Sequence, residues 1–325
     1  MSFGSRFAGL LAAAVLPLFV CAPANAQKYP ERPIRMLVPF SPGGGTDLVA
    51  RSVAQKMGES MNAQVVVDNR PGGNANIGNE MAAKAAPDGY TIIMTSSSVT
   101  INANLYKNLG YDPVRDFAPI SLATYVPYLL ACHPSLPFTN FQEFVKYGRE
   151  NKGQLSYGSA GTGNSTHLSM ELLKILTKID VTHVPYKGTG QALTDLLGNH
   201  VQLIWGTIPP GLPHVKSGRL RGLAVGGLKR SKAIPELPTV IELGYPGYEA
   251  ASWFGLLAPQ GTPKHIVALL NREAVKALNA PELNDRLSAE GAEPVGNTPE
   301  EFAVFIKNEV TKWGKVVKAA GIARQ

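Results

Sequence analysis

The chain has 325 residues, of which 44% are hydrophobic and 17% charged, with 31 Lys and Arg against 24 Asp and Glu for a formal net charge of +7. That length suits two modest domains, and the basic excess is spread along the chain without a Lys/Arg run interleaved with aromatics, which excludes the footprint of a nucleic-acid-binding protein. Two cysteines, Cys21 and Cys132, are too few for a disulfide scaffold, so packing must supply the stability.

Residues 1–26 read as an export leader with cleavage after Ala26. Arg6 is the only charge there, 7–20 form an apolar core too short to span a bilayer comfortably, and Ala24-Asn25-Ala26 supplies the small residues of a cleavage site. Phe19 and Val20 precede Cys21 where a lipid-attachment box needs small side chains, which argues against lipidation. After the leader no stretch reaches membrane-spanning length, and no solenoid-period repeat or low-complexity tract appears. The expectation is an exported protein of the periplasm, soluble and monomeric.

An apolar strand at 34–38 runs into Ser41-Pro-Gly-Gly-Gly-Thr46 and then into a helix carrying Val49, Val53 and Met57 on one face. Consecutive glycines leave amides uncovered, and the following helix adds the unpaired N–H groups and partial positive charge of its N-terminus. The combination reads as an anion cradle. Further strands are expected at 65–68, 91–94, 129–132, 155–157, 201–205 and 223–225, with helices at 168–176 and 191–197 between them. Strands alternating with helices imply largely parallel sheets covered on both faces. A second cradle follows the strand at 155–157, in Gly158-Ser-Ala-Gly-Thr-Gly-Asn-Ser-Thr-His167. Two cradles far apart in sequence suggest one anion held between two lobes.

The last third is expected to hold two long helices. Thr262-Pro263 reads as a cap and a first-turn proline before Ile266, Leu269, Leu270 and Val275, and Thr298-Pro-Glu-Glu301 as a capping box before a stripe of Phe302, Phe305, Ile306, Val310, Trp313 and Val317 that Gly321 stops. That stripe is what a packed helix needs, so its aromatics are read as core.

Candidate ligand-binding residues are Phe40, Ser41, Gly43, Gly44 and Thr46 in the first cradle, Ser159, Ala160, Gly161, Thr162, Asn164 and His167 in the second, and Ser97 and Ser98, with Ser96, after the strand at 91–94. Thr46, Asn164, Ser165 and Thr166 can cap their helices or donate to ligand, and spacing does not separate those roles. Asp47, in a first helical turn, is expected to brace its loop from behind. His167 either donates a neutral imidazole N–H to a carboxylate or is structural. The first cradle lacks the Gly-Lys-Ser/Thr ending of a P-loop, and the second has its glycines as GxxGxG and not as the dinucleotide GxGxxG. A hydrolase is the rival class, but no G-x-S-x-G elbow surrounds any serine. The six histidines show no metal-ligand spacing. No catalytic residue, metal or cofactor is expected.

Tyr29-Pro-Glu-Arg-Pro-Ile-Arg, Val38-Pro-Phe-Ser-Pro-Gly-Gly-Gly-Thr-Asp47, Asn69-Arg-Pro-Gly-Gly, Ala86-Pro-Asp-Gly-Tyr90, Tyr111-Asp-Pro-Val-Arg-Asp-Phe117, His183-Val-Pro-Tyr-Lys-Gly188 and Ser252-Trp-Phe-Gly-Leu-Leu-Ala-Pro259 stand in unbroken order. In these motifs the chain closely resembles the Bug family, the extracytoplasmic solute-binding proteins of tripartite tricarboxylate transport systems. The resemblance implies an α/β fold like that of a type II periplasmic binding protein, with one lobe from 27–126 plus 252–325, the other from 127–251, and a hinge closing the cleft on a small carboxylate. It also implies membrane subunits of such a transporter as partners, or a role as a stand-alone sensor.

At Asn199-His-Val-Gln-Leu-Ile-Trp-Gly-Thr207 the family often carries an acidic residue suited to a ligand ammonium, and here that position reads as Gly206 between Trp205 and Thr207. A buried ammonium without a countercharge is disfavoured, so the expected ligand lacks an amine. A dicarboxylate, aliphatic or aromatic, is the preferred class, with nicotinate-like monocarboxylates next. Trp205 either flanks that ligand or points into the core.

Overall fold

A computed structural model describes residues 29–319, together with residues 1 and 4. The leader, its cleavage site and the Gly321 stop lie outside the described residues. The chain begins β1 (Ile34–Val38), α1 (Gly45–Met61), β2 (Val65–Asn69), α2 (Asn76–Ala83), β3 (Thr91–Ser96), α3 (Ser98–Leu105) and β4 (Phe117–Cys132). It continues α4 (Phe141–Glu150), β5 (Ser156–Ser159), α5 (Ser165–Thr177), β6 (Thr182–Pro185), α6 (Thr189–Leu197), β7 (Leu203–Thr207), α7 (Ile208–Lys216) and β8 (Arg221–Val225). It closes with β9 (Ala251–Pro259), α8 (Lys264–Asn279), α9 (Pro281–Ala289), β10 (Glu293–Pro294) and α10 (Pro299–Ala319).

β1 pairs in parallel with both β2 and β3, as the alternation of strand and helix predicts, and β5 does the same with β6 and β7. The centre departs from that pattern. β4 and β9 are long and antiparallel to each other, and β9 also runs antiparallel to β3. The expected strand at 129–132 is therefore only the end of a 16-residue strand that serves both halves. Its first part pairs with β9 down to Pro127↔Ala251, and from Tyr128↔Thr207 onward it pairs with β7, with β8 on its other edge. The strands thus form one connected path, β2-β1-β3-β9-β4-β7-β5-β6, with two α/β lobes at its two ends joined where β4 and the entry to β9 pass between them.

Each lobe has its own core. Ile34, Met36, Val38, Val49, Val53, Met57, Phe254 and Leu270 belong to the first, while Tyr128, Phe138, Phe144, Tyr157, Trp205 and Tyr248 belong to the second. The stripe on α10 is core, as its spacing predicts: Phe302 packs edge-on to Trp253, and the indole N–H of Trp313 donates to Glu309. Burying a side chain such as Phe302 contributes roughly 1.5–3 kcal/mol. The capping box is reciprocal, with the Thr298 amide donating to Glu301 and the Glu301 amide to the Thr298 hydroxyl. The two long helices expected here are α8 and α10, and a short third, α9, follows α8 because Pro281 lacks a donor and holds Ala280 extended. One expectation for this third needs correction. Pro263, not Thr262, occupies the cap of α8, and the Thr262 hydroxyl turns back to the carbonyl of Pro259.

Candidate functional site

The loop from β1 to α1 is set by its glycines and by one carboxylate. Gly43 takes φ +79°, where a side chain is strained, and its amide donates to Asp47 Oδ2 at 2.9 Å. Asp47 Oδ1 accepts from Asn69 Nδ2 at 2.9 Å, and that amide also donates to the carbonyl of Phe40, while Arg51 Nε donates to Asp47 Oδ2 at 3.0 Å. Burial opposes ionisation of Asp47, but the hydrogen bonds from Arg51, the Gly43 amide and Asn69 outweigh it and hold the carboxyl below its ordinary value. The brace keeps the amides of Gly44, Gly45 and Thr46 at the head of α1.

The loop from β5 to α5 is tied from two sides. Asn164 caps the helix by accepting from the Thr166 amide at 3.1 Å, and the Thr166 hydroxyl accepts from the Ala160 amide at 3.0 Å. Gly161 and Gly163 take φ +136° and +75°. Ser159 Oγ accepts from the Gly161 amide and meets His183 Nε2 at 2.6 Å, and the Gly163 amide donates to His167 Nδ1 at 2.9 Å. Burial lowers the pKa of both histidines, reaching about 4 for His183, where the neighbouring His167 adds to the effect. Both rings are therefore neutral at neutral pH.

Between these loops lies a cavity with about 20 Å³ of free volume. Phe40, Gly44, Gly45 and Thr46 line it from the first loop and the head of α1, and Ala160, Asn164, Ser165 and Thr166 from the second loop and the head of α5. Thr189 comes from the head of α6, Thr207 from the head of α7, Ser96 from the end of β3, and Tyr128, Ser252 and Phe254 from the crossing strands. No lining side chain is charged. Polarity comes from hydroxyls, amides and helix N-termini, each N-terminus favouring an anion by about 0.3–1 kcal/mol. Pro209 and Pro210 in the first turn of α7 remove two donors from that helix. The side-chain amide nitrogen of Asn164 and the hydroxyl of Thr207 are buried without a hydrogen-bond partner, a cost of roughly 1–3 kcal/mol each that an acceptor entering the cleft would relieve.

Of the residues expected from sequence, Phe40, Gly44, Thr46, Ser96, Ala160, Asn164, Ser165, Thr166 and Thr207 line the cavity. The others stand elsewhere. The Ser41 hydroxyl is buried, unpartnered and outside the lining, and Gly43 is held by Asp47. Ser97 Oγ meets Ser252 Oγ at 3.2 Å and Ser98 Oγ meets Ser96 Oγ at 2.9 Å, so both sit one layer behind the wall. Ser159 is occupied inside its own loop, and Gly161 and Thr162 line a separate groove at the cleft mouth with Asn74, Tyr186 and Lys187. His167 does not donate to a ligand through Nδ1, because that nitrogen accepts from Gly163. Trp205 is fully buried against Tyr128 and Tyr248, since it shares the inner face of β7 with Leu203. Gly206 faces Ile204 and the methyl of Thr189 and does not line the cavity.

Sequence reasoning missed Gly45, Tyr128, Thr189, Ser252 and Phe254. Gly188-Thr-Gly190 carried a usable signal, because it follows a strand and opens a helix as both cradles do.

Two α/β lobes closing on a cavity of helix N-termini and hydroxyls define a two-lobed solute-binding protein. The sequence profile of the tripartite tricarboxylate transporter family receptor (TctC) matches residues 49–322, and the chain belongs to that family. It is 38% identical over 304 residues to protein BugT of Bordetella pertussis, which covers 93% of each chain. Its fold superposes on the periplasmic binding protein BugD with a TM-score of 0.89 at 37% identity, over 91% of this chain and all (100%) of that one. The R. palustris protein Rpa4515, solved with adipate, gives 0.87 at 39% identity, over 91% and 99% of the two chains. The family is one of solute-binding receptors, which sets the hydrolase reading aside.

Proposed function

We propose that this receptor works in the periplasm, capturing a small dicarboxylate without an amine between its lobes and presenting it, as a monomer, to the membrane subunits of a tripartite tricarboxylate transporter. The observation that carries this reading is the uncharged lining, in which the unpartnered Asn164 amide and Thr207 hydroxyl stand among the N-termini of α1, α5, α6 and α7. Such a site favours anions and offers an ammonium no countercharge. Adipate in the relative Rpa4515 supports the same ligand class. The apolar walls for the ligand body are Phe40, Tyr128 and Phe254. The free volume is about that of one water, so entry requires the lobes to part. The register supports a lobe of 27–126 plus 252–325 and a lobe of 127–251, since β4 changes partners after Pro127. Export with cleavage after Ala26 completes the proposal, and mature protein from its host then begins at Gln27.

Calorimetry with adipate, terephthalate, nicotinate and glutamate tests it. A dicarboxylate is expected to bind tighter than glutamate by about tenfold or more. Preference for glutamate, or binding of none of the carboxylates, overturns the reading.

A further inference from the structure

The third glycine loop makes a contact that ligand recognition leaves unused. It lies on the second lobe ahead of α6, and its backbone sits directly on the backbone of the first cradle, on the opposite lobe. A Cβ built at Gly190 would stand 2.5 Å from the carbonyl oxygen of Pro42 and 3.1 Å from the amide nitrogen of Gly44. At Gly188 it would meet the Ser41 hydroxyl at 2.5 Å and the Ser41 amide nitrogen at 3.1 Å. From the other side, a Cβ at Gly44 would reach the Thr189 hydroxyl at 3.2 Å and the Gly190 nitrogen at 3.6 Å. Neither Gly188 nor Gly190 lines the cavity. Neither needs to be glycine for a left-handed turn, since Gly188 is extended at φ 164° and Gly190 stands in the first turn of α6. What both positions require is an absent side chain where two lobes meet.

We propose that Gly188 and Gly190 are positioning residues for closure: they form a bare seam on which the lobes seat, and it is this seam, with no ligand contact of its own, that sets the population of the closed state. The inference rests on the reading of the cleft as the ligand site. The physical cause is local. At Gly190 the three nearest atoms, in Pro42, Gly43 and Gly44, are all main chain and all on the other lobe, so an added methyl cannot be relieved by a side-chain rotation. At Gly188 the nearest atom is the movable hydroxyl of Ser41, so the obstruction there is weaker. With the lobes apart these obstructions are gone, and at Gly190, in the first turn of α6, alanine is a better helix former than glycine.

The test is single-molecule energy transfer between dyes on Lys84→Cys and Lys152→Cys, exposed positions on the first and second lobes; Cys132 is buried, and burial raises its thiol pKa to about 12, which keeps it unreactive. Without ligand, Gly190→Ala is expected to lower the closed fraction about tenfold or more, with a melting temperature at or above that of the parent, and Gly188→Ala, at the N-cap of α6, to lower the closed fraction less. Adipate is then expected to raise the closed fraction of the parent but not to restore that of Gly190→Ala. Equal closed fractions for parent and Gly190→Ala overturn the inference, as does a parent with no closed population alone or with adipate. If adipate leaves the parent unmoved while Gly190→Ala still lowers the ligand-free closed fraction, the seam stands and the ligand proposal falls. A melting temperature of Gly190→Ala lowered in step with its closed fraction marks a structural role and also overturns the proposal.

Discussion

The imidazole of His183 lies face to face with that of His167, 4.0 Å between ring centres and 15° from parallel, directly beneath the second glycine loop. Each ring holds a different part of that loop: His183 through Ser159 and His167 through the Gly163 amide. Because a backbone amide can only donate, Nδ1 of His167 must be unprotonated, and its proton sits on Nε2 towards Glu171, 3.9 Å away. Tyr157 stacks on the other side of His183 and donates to Glu171, which also pairs with Lys174. Stability of the loop therefore depends on both rings staying neutral.

A pH dependence follows with a definite sign. Burial and the neighbouring His167 depress His183 from its ordinary value to about 4, so between there and about 6.5 the unfolded chain binds more protons than the folded one. The stabilisation is complete above pH 6.5 and is lost as pH falls towards 4. The full shift corresponds to about 3 kcal/mol, and screening of a partly solvated ring reduces the expected loss to roughly 1–2 kcal/mol. Urea unfolding between pH 7.5 and 4.5 measures it. His183→Asn should flatten the slope in that window; an unchanged slope assigns it to other groups.

Asp47 is expected to be costly to remove although it touches no ligand. Asp47→Ala leaves the Gly43 amide, Arg51 Nε and Asn69 Nδ2 without their common acceptor, a destabilisation of about 2 kcal/mol. Adipate affinity should fall with it, by about tenfold, because the head of α1 loses its brace. Chemical denaturation and calorimetry read the two effects, and retention of both values would show the loop to be rigid without the carboxylate. Because Asp47 is held below its ordinary value, its contribution is present above about pH 4 and fades below that as the folded group protonates.

The two cradles were legible because glycine runs between an apolar strand and an amphipathic helix are a local pattern. Tyr128, Ser252 and Phe254 were not, because Ser252 and Phe254 reach the cavity through the antiparallel pairing of β9 with β4, more than a hundred positions away, and Tyr128 through the pairing of β4 with β7. The facing of Trp205 was illegible for a different reason. All five residues of β7 are buried, so its alternation separates two interiors and carries no sign of which one holds ligand.

Gly45 tests whether the lobes close as tightly as the cavity requires. A Cβ there would collide with the Thr207 hydroxyl and stand 3.2 Å from the ring of Phe254. Gly45→Ala should therefore weaken adipate binding by about tenfold or more. Its ligand-free melting temperature should change little if the collision with Thr207 exists only when the lobes close. Normal affinity in calorimetry would mean that α1 and β7 approach less closely in the bound state.

Gly206 tests the charge preference of the cleft. Its φ lies outside the left-handed region, and a Cβ there would make ordinary contacts, 3.4 Å to Ile204 and 3.7 Å to the Thr189 methyl, so the backbone accepts a side chain. Gly206→Asp then puts a carboxylate beside Thr189, which lines the cavity. A dicarboxylate should lose at least about 2 kcal/mol of affinity through repulsion and desolvation, while a ligand of the same length bearing an amine gains a countercharge. Calorimetry with adipate and 2-aminoadipate separates the two, provided circular dichroism shows the variant folded. Equal changes for both ligands would mean that position 206 does not sense ligand charge, and the argument from its missing carboxylate to an amine-free ligand would fail with it.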